Sequence, residues 1–375
     1  MKFATSFAIS ALALLGANAS ASADIKIGVT LPLTGYAASY GEDARRGVEL
    51  AVDQTNAAGG IKGQKIQLVI EDDAGAGKVG VAATQKLVSI DKVPVIIGGM
   101  MSSVALPASQ IARSNKIVYL STTSSHPDLT SPGGFIYRLA SSTAAQSSTA
   151  VEFSVHVLKA KTAVGLFAAS ESGLVASKTI ETGFEKQGGK WFASEKFQTG
   201  ATDFRTQLAK LKAHNADILF ISATHKEAAQ IFRQMVELNF KPKVMGSSFW
   251  YDPTILELAG ETANGVHFTV EAGEDNPEAK KLNAEFTAAF KAKFNKDPGI
   301  TASYFYDAAQ LAINALKNAD PSGPAIDRWI AQVKSYPGVT GHISFTTIGD
   351  SIIPITVRKI ENRKFIETGF TRTTK

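Results

Sequence analysis

The sequence predicts an α/β protein built from two doubly wound, Rossmann-like lobes. Short apolar runs alternate along the chain with segments of helical periodicity, which is the pattern of strands and helices in doubly wound folds. The runs are continuous rather than alternating in polarity, as expected for parallel strands that helices cover on both faces. The chain is also long for a single hydrophobic core, so we expect two domains.

The first 23 residues predict a secretory signal peptide. Lys2 precedes an apolar run from Phe7 to Ala17, and Ala21-Ser22-Ala23 offers a cleavage site directly before Asp24. The apolar run is too short to span a bilayer, and no Cys is present to carry a lipid anchor. We therefore expect residues 1–23 to be removed and the remaining 352 residues to work beyond the inner membrane.

The individual elements follow from apolar runs and helix signals. Residues 203–214 form a helix pattern with Phe204, Leu208 and Leu211 on one face. Residues 277–294 form another, with Asn276 as its cap and a Pro in its first turn. The predicted strands are residues 25–31, 66–70, 93–97, 117–120, 162–167, 191–197, 218–221, 243–245, 265–269, 352–359 and 364–369.

Composition narrows the class of protein. Hydrophobic residues make up 44% of the chain and charged residues 19%, which is typical of a globular rather than a disordered protein. The chain has no Cys, so the fold must be stable without disulfides. The net charge is +5, but Lys and Arg are scattered and form no basic run, so we expect no nucleic-acid partner.

Local motifs give no support for catalysis. Residues 75–80 read G-x-G-x-x-G, but they follow the second strand, and the next strand ends in Gly98-Gly99 instead of an acid for a ribose. None of the six His residues lies three to five residues from another, so no compact metal motif exists. A G-x-S-x-G nucleophile motif is absent. We expect no cofactor, no metal and no enzyme activity.

Two polar loops follow neighbouring predicted strands. Residues 98–103 read Gly-Gly-Met-Met-Ser-Ser, and residues 121–127 read Ser-Thr-Thr-Ser-Ser-His-Pro. Hydroxyls and backbone N–H groups at a helix start suit an anion, above all a carboxylate. Helix caps and turns can explain any one of these hydroxyls, but two such loops at one sheet edge favour a binding site.

The stretch from Asp24 to Gly63 carries a long pattern. It contains Thr34-Gly35, Tyr40-Gly41, Gly47, Leu50-Ala51 and, at 56–63, Asn-Ala-Ala-Gly-Gly-Ile-Lys-Gly. The pattern resembles the start of the periplasmic solute-binding proteins of the Leu/Ile/Val type, which serve ABC importers, and the resemblance spans the mature chain. It implies a type I periplasmic binding fold, in which a three-crossing hinge joins two discontinuous lobes. We place the first lobe at residues 24–141 and 275–346 and the second at residues 142–274 and 347–375.

The resemblance also implies a role and partners. It indicates a monomer in the periplasm that traps a small carboxylate ligand between its lobes and presents it to an inner-membrane ABC permease. In the family, a Ser ahead of Pro-Ala-Ser binds the ligand's carboxylate. Pro107-Ala108-Ser109 sets that register here and indicates Ser102, with Ser103 beside it. The other expected contacts lie at positions that match the family's motif or replace its residues: Tyr40, Met100, Met101, Thr123, Ser124, Ser125, Ser172, Thr224 and Ser248. Trp250 is added as an aromatic residue that could stack on a ring.

Departures from the family bear on the ligand. Ser248 and Thr143 stand where the family commonly has acids that take the ligand's ammonium, and Ser172 and Thr224 stand where it has aromatic residues. Burying an ammonium without an anionic partner costs several kcal/mol, whereas the aromatic residues at 249–251 could stack on a ring.

Two ligand classes therefore stay open. A branched-chain or related amino acid is the family's commonest ligand, and Glu171, Glu227 or Asp252 would then have to take the ammonium. The alternative is an aromatic or other apolar carboxylate that has no ammonium. A ligand sensor with the same pocket and an exported enzyme are more remote alternatives.

Overall fold

The structure is a computed structural model that describes residues 24–130, 134–271 and 276–373 of the 375-residue chain. The predicted signal peptide, residues 1–23, lies outside the described residues. Within them, no helix has the length and apolar character needed to cross a membrane. The strands form two large sheets, one in each of two lobes.

The first lobe is built on a five-stranded parallel sheet that is covered on both faces. Ile97 packs with the helices of one face and Ile96 with those of the other, as the continuous apolar runs predict. The strands are β1 (Ile25–Leu31), β2 (Ile66–Asp72), β3 (Val95–Gly98), β4 (Val118–Ser121) and β5 (Ile136–Arg138). The helices are α1 (Ala38–Ala57), α2 (Gly77–Ser89) and α3 (Ser102–Ser114).

The second lobe is built on a seven-stranded sheet. Its strands are β6 (Thr162–Ala168), β7 (Lys190–Phe197), β8 (Ile218–Ser222), β9 (Lys243–Gly246), β10 (His267–Glu271), β13 (Pro354–Glu361) and β14 (Lys364–Thr373). Its helices are α4 (Thr143–His156), α5 (Glu171–Lys186), α6 (Arg205–Lys212), α7 (His225–Glu237) and α8 (Pro253–Ala259). The chain then adds α9 (Pro277–Phe294), α10 (Ile300–Asn318) and α11 (Gly323–Ile330), and α9 and α10 pack on α1 of the first lobe. A short hairpin, β11 (Tyr336–Gly338) and β12 (Gly341–Ile343), follows α11.

The two sheets share one strand order. The first runs β2-β1-β3-β4-β5, and the second contains the same arrangement as β7-β6-β8-β9-β10, extended by β13 and β14. In sheets of this order, ligands bind beyond the carboxyl ends of the strands where the order reverses. These switch points lie between β1 and β3 in the first lobe and between β6 and β8 in the second.

The structure confirms the predicted strands, and most of the strand ends differ from the predicted ends by no more than two residues. It adds β5, β11 and β12, whose three residues each are too few to leave a periodic signal. The second sheet also differs from the purely parallel expectation, because β13 pairs antiparallel with both β10 and β14. An apolar run does not reveal the direction of its neighbour, so the sequence could not distinguish these cases.

The chain passes between the lobes three times, after β5, after β10 and after β12. Side chains tie these passages together. Ser141 donates hydrogen bonds from its backbone N and its Oγ to Glu271 Oε1, at 3.1 and 2.6 Å. Ser351 Oγ donates to the carbonyl oxygen of Ala140 at 2.8 Å. The lobe boundaries at 141/142, 274/275 and 346/347 stay predictions, and the second falls on residues outside those described.

Candidate functional site

A cavity of about 310 Å³ lies between the lobes, where the two switch points face each other. We call it the outer chamber, and its size is at the lower end of the range for small-molecule sites. The first lobe lines it with Tyr36, Tyr40, Met101, Ser102 and Ser103. The second lobe lines it mainly with Ser170, Glu171, Ser172, Ser222, Thr224, Glu227 and Phe249.

The first-lobe wall of the outer chamber contains the start of α3. The chain leaves β3 through Gly99, whose φ of +70° is in the left-handed region that glycine adopts readily. Met101 precedes the helix and gives it no side-chain cap, so the first N–H groups of α3 have no partner inside the helix. Ser124 Oγ donates to Ser102 Oγ at 3.1 Å, which leaves the Ser102 hydroxyl hydrogen for a ligand.

The second-lobe wall contains the starts of α5 and α7, and both are capped by their own side chains. Ser170 Oγ accepts a hydrogen bond from the Gly173 backbone N at 3.2 Å. Thr224 and Glu227 form a reciprocal capping box. Unlike α5 and α7, α3 has no side-chain cap, so its positive end is open to an anion.

The acids of the outer chamber belong to the second lobe. The buried Glu227 carboxylate already accepts from Thr224 N, Thr224 Oγ1 and Gly200 N at 2.7–2.9 Å. Glu171 lies at the rim with about half of its side chain exposed. Across the described ranges, no group of three or more His, Asp or Glu side chains is arranged to hold a metal ion.

One buried hydrogen bond joins the lobes beside the outer chamber. Tyr40 OH lies 2.5 Å from His225 Nδ1, and the two rings meet edge to face. Burial raises the pKa of the Tyr40 hydroxyl above its usual value, and Asp252 raises it further. Burial also lowers the pKa of the His225 imidazole, against the attraction of Asp252. A neutral phenol therefore meets a neutral imidazole at this contact.

A second cavity, of about 60 Å³, continues the cleft towards the lobe crossings. We call it the inner chamber, and it shares Ser172, Ser222 and Phe249 with the outer chamber. Its apolar lining includes Ala150, Ile180, Phe220, Met245 and Tyr304. Its polar lining includes Thr143, Gln146, Thr269 and Glu271. The two chambers therefore adjoin each other at these three shared side chains.

Most of the predicted contact residues line one of these chambers. Tyr40, Met101, Ser102, Ser103 and Thr224 line the outer chamber, whereas Thr123, Ser125 and Ser248 line the inner one, and Ser172 lines both. Ser124 lies behind Ser102 and holds its hydroxyl. The structure brings these residues together at one cleft, and their contacts with a ligand stay predictions.

Two of the predicted contact residues lie in the lobe cores and not on a chamber wall. Trp250 is 0% exposed, packs on Phe232 in the core of the second lobe, and donates from Nε1 to the carbonyl oxygen of Ala223 at 3.0 Å. Its neighbour Phe249 lines both chambers instead. Met100 lies in the first-lobe core, because Met101 is extended and adjacent side chains of an extended chain point to opposite sides.

Sequence reasoning overlooked Ser222 and Glu271 as cleft residues. Both end strands, β8 and β10, at the sheet edge that faces the other lobe. The position of a polar residue at a strand's carboxyl end was the available signal. The predicted strand at 265–269 stopped two residues before Glu271, so the acid was not recognised as the last residue of a strand.

Comparisons with known proteins agree with this architecture. The Leu/Ile/Val-binding protein homolog 1 of Brucella abortus is 29% identical over 345 residues, which cover 91% of each chain. The isoleucine complex of the branched-chain amino acid transporter substrate binding protein LivJ of Streptococcus pneumoniae superimposes with a TM-score of 0.83. It has 26% identity and covers 94% of this chain and 99% of that one.

A second solved structure is similar to the same degree. It is a solute binding protein of an ABC transporter from Rhodopseudomonas palustris in complex with 3,4-dihydroxybenzoic acid. Its TM-score is 0.83 and its identity 25%, with coverage of 93% of this chain and 97% of that one. The resemblance to Leu/Ile/Val-binding proteins that the sequence indicates is confirmed. The profile described as periplasmic binding protein matches residues 24–353, and the chain therefore belongs to the periplasmic binding protein family.

Proposed function

We propose that this protein is the substrate-binding component of an ABC importer and that it carries a small carboxylate with an apolar body to an inner-membrane permease. Membership of the family supports the role, and two similar structures are described as transporter binding proteins. The work is binding rather than chemistry. The monomer closes its lobes on the ligand by a hinge motion, and the permease recognises the closed form.

The observation that carries this proposal is the uncapped start of α3 in the outer chamber. A carboxylate at this point accepts hydrogen bonds from the free N–H groups and from the Ser102 hydroxyl, and the helix dipole favours its charge. Tyr40, Met101 and Phe249 supply apolar surface around the rest of the ligand. Each methylene that they bury adds about 0.8 kcal/mol.

The arrangement of acids favours a carboxylate that has no ammonium beside it. An α-ammonium lies one carbon from the carboxylate and needs an anion close to Ser102. Of the acids that line the outer chamber, Glu227 already accepts three hydrogen bonds from the second lobe, which hold it in place there, and Glu171 is at the solvent-exposed rim. An aromatic or other apolar acid avoids this cost of desolvation.

A branched-chain amino acid is the second candidate, because the Brucella abortus relative and the Streptococcus pneumoniae structure are named for such ligands. A thermal-shift screen followed by calorimetry separates the two classes, since a bound ligand raises stability by RT ln(1 + [L]/Kd). We expect benzoate and its longer or substituted analogues to stabilise the protein more than leucine, isoleucine or valine. Strong stabilisation by the aliphatic amino acids alone would rule out the first candidate.

The variant Ser102→Ala tests the carboxylate site itself. It removes a hydrogen bond to a charged group, so we expect affinity for any carboxylate ligand to fall by about ten- to a hundredfold. Ser109→Ala is the matched control, because Ser109 is a buried serine of the same helix whose Oγ donates to the Leu106 carbonyl oxygen. Equal affinities of the two variants in calorimetry would contradict the assignment of this site.

A further inference from the structure

We propose that Glu271 accepts a hydrogen bond from a hydroxyl group at the end of the ligand that is remote from its carboxylate. The inference rests on the proposed function and narrows the ligand to a hydroxylated carboxylic acid with an apolar body. The carboxylate end lies at the start of α3 in the outer chamber, and the hydroxyl end enters the inner chamber.

The hydrogen bonds of Glu271 leave one of its two oxygens available. The side chain is 7% exposed and lines the inner chamber. Its Oε1 accepts from Ser141 N at 3.1 Å, from Ser141 Oγ at 2.6 Å and from Gln146 Nε2 at 3.3 Å. Among the described residues no donor reaches its Oε2. The carboxylate is thus held in place by one oxygen while the other is left for an occupant of the chamber.

The groups around Glu271 limit which chemical group of a ligand can bind beside its free oxygen. The chamber walls are largely apolar, with Phe220 and Met245 among them. An apolar ligand end would leave a buried carboxylate oxygen without a donor, which is costly. A second carboxylate would be repelled, and an ammonium would have to give up its hydration in an apolar chamber. A neutral hydroxyl donates one hydrogen bond at the smallest desolvation cost.

The two chambers adjoin and together make up the proposed site for such a molecule. Ser172, Ser222 and Phe249 line both chambers. At this shared boundary the Phe249 side chain offers an aromatic face to the middle of the ligand. Polar groups at the two ends and apolar walls between them match a molecule with a carboxylate, a ring or chain, and a distal hydroxyl.

The test compares matched ligand pairs by calorimetry on the mature protein. The pairs are 4-hydroxybenzoate with benzoate, 4-hydroxyphenylacetate with phenylacetate, and 3-(4-hydroxyphenyl)propionate with 3-phenylpropionate, which differ in length. Tyrosine with phenylalanine extends the test to ligands that keep an ammonium. We expect at least one hydroxylated member to bind about tenfold or more tightly than its partner, as one hydrogen bond to a charged group allows.

The variants separate ligand recognition from a role in the hinge. Glu271→Gln keeps an oxygen for Ser141 but removes the charge, so we expect the preference for the hydroxylated member over its parent acid, measured as the ratio of their Kd values, to fall to about twofold or less. Ser141→Ala weakens the hinge contact and keeps the carboxylate, so its preference is expected to stay. If Glu271→Gln does not fold, Glu271→Asp withdraws the carboxylate by one methylene and is expected to lower the same preference.

The outcomes distinguish the inference from the proposed function. Binding of carboxylates without any preference for the hydroxylated members overturns the role of Glu271 and leaves the proposed function intact. If Glu271→Gln and Ser141→Ala lower the affinity for both members of each pair equally, Glu271 acts in the hinge. That result also overturns its proposed role in ligand recognition. If no carboxylate binds the wild-type protein, the proposed function fails and the inference fails with it.

Discussion

Removal of the Tyr40 hydroxyl should weaken ligand binding without any loss of contact to the ligand's carboxylate. Tyr40 OH and His225 Nδ1 form a 2.5 Å hydrogen bond between the lobes, and both side chains are buried. In Tyr40→Phe the ring stays in place, but His225 Nδ1 loses its partner. A buried polar atom without a partner costs about 1–3 kcal/mol, and this cost exists only while the lobes are in contact, because water reaches the imidazole when they separate.

The expected change in affinity follows from that cost. When only the closed form holds the ligand, the apparent Kd is the intrinsic Kd divided by the closed fraction. When the closed form is a minor part of the ligand-free population, a penalty of about 1–3 kcal/mol on closure raises the apparent Kd by about fivefold to 150-fold, and by less when more of the protein is already closed. Small-angle scattering of the ligand-free protein should show a larger radius of gyration for Tyr40→Phe if part of the wild-type population is closed.

A double-mutant cycle gives the decisive measurement. Tyr40→Phe, His225→Ala and the double variant are titrated with the same ligand by calorimetry, and we expect a coupling energy of about 1 kcal/mol or more. Lys226→Ala is the matched control, because Lys226 Nζ also reaches across the cleft, to Ser39 Oγ at 3.3 Å, but in an exposed position. Its effect should be about twofold or less. Additive effects in the cycle would refute the reasoning.

The same contact predicts a direction of pH dependence. Burial lowers the pKa of His225 in the structure with the lobes in contact, whereas an exposed imidazole has a pKa of about 6.5. The open form therefore binds a proton at a higher pH than the closed form does, and protonation favours opening. Ligand affinity should fall as the pH drops below about 6.5, and His225→Ala should flatten this part of the profile. A wild-type profile that stays flat from pH 7.5 to 5 would contradict the assignment.

Two further predictions concern stability and the division of roles in the cleft. Burial raises the pKa of Asp73 to about 6, whereas an Asp in an unfolded chain has a pKa of about 3.9. Between about pH 3.9 and about pH 6, the native state therefore binds a proton at Asp73 that the unfolded state has lost. The free energy of unfolding falls as the pH rises through this window. Asp73→Asn keeps the bond to Gly75 N and should stabilise the protein at pH 7 by at most about 2–3 kcal/mol but little at pH 4, as measured by denaturant unfolding. Phe249→Ala should lower ligand affinity with a small change in melting temperature, whereas Trp250→Ala should cost about 3–5 kcal/mol of stability, because one side chain lines the cleft and the other is in the core.

The parts of the fold that could be predicted are those that depend on local pattern. The run Ile25–Leu31 is mostly apolar and forms the interior strand β1, in which every residue except Lys26 is buried, because a strand covered on both faces buries most of its side chains. The strand β5 contains Arg138, a charged residue that is 0% exposed. Its burial depends on Asp350, whose Oδ1 accepts from Arg138 Nε at 2.7 Å. That partner is more than two hundred residues away in the chain, so no local pattern could reveal it.

The same distinction between local and distant signals applies to the residues of the candidate site. The start of α3 could be located because a glycine turn followed by hydroxyl residues is a local signal. The choice between Phe249 and Trp250 could not be made, because both are aromatic and adjacent. It depends on a hydrogen bond from Trp250 to Ala223 and on packing against Phe232, and both of these partners come from other segments of the second lobe.

The two lobes have the same strand order but different electrostatics at their switch points, and this difference bears on how a ligand would enter. The first lobe offers the uncapped start of α3, whereas the second lobe caps α5 and α7 and carries the acids Glu171 and Glu227. A carboxylate is attracted to the first wall and repelled by the second while the cleft is open. On the proposed function, the ligand therefore binds the first lobe before closure, and the second lobe adds contacts only to the body of a ligand that is already oriented. Ser102→Ala should then act mainly on the first encounter, whereas Tyr40→Phe should act on the closing step and speed dissociation. If this order is correct, stopped-flow kinetics should show a change mainly in the association rate for Ser102→Ala and mainly in the dissociation rate for Tyr40→Phe.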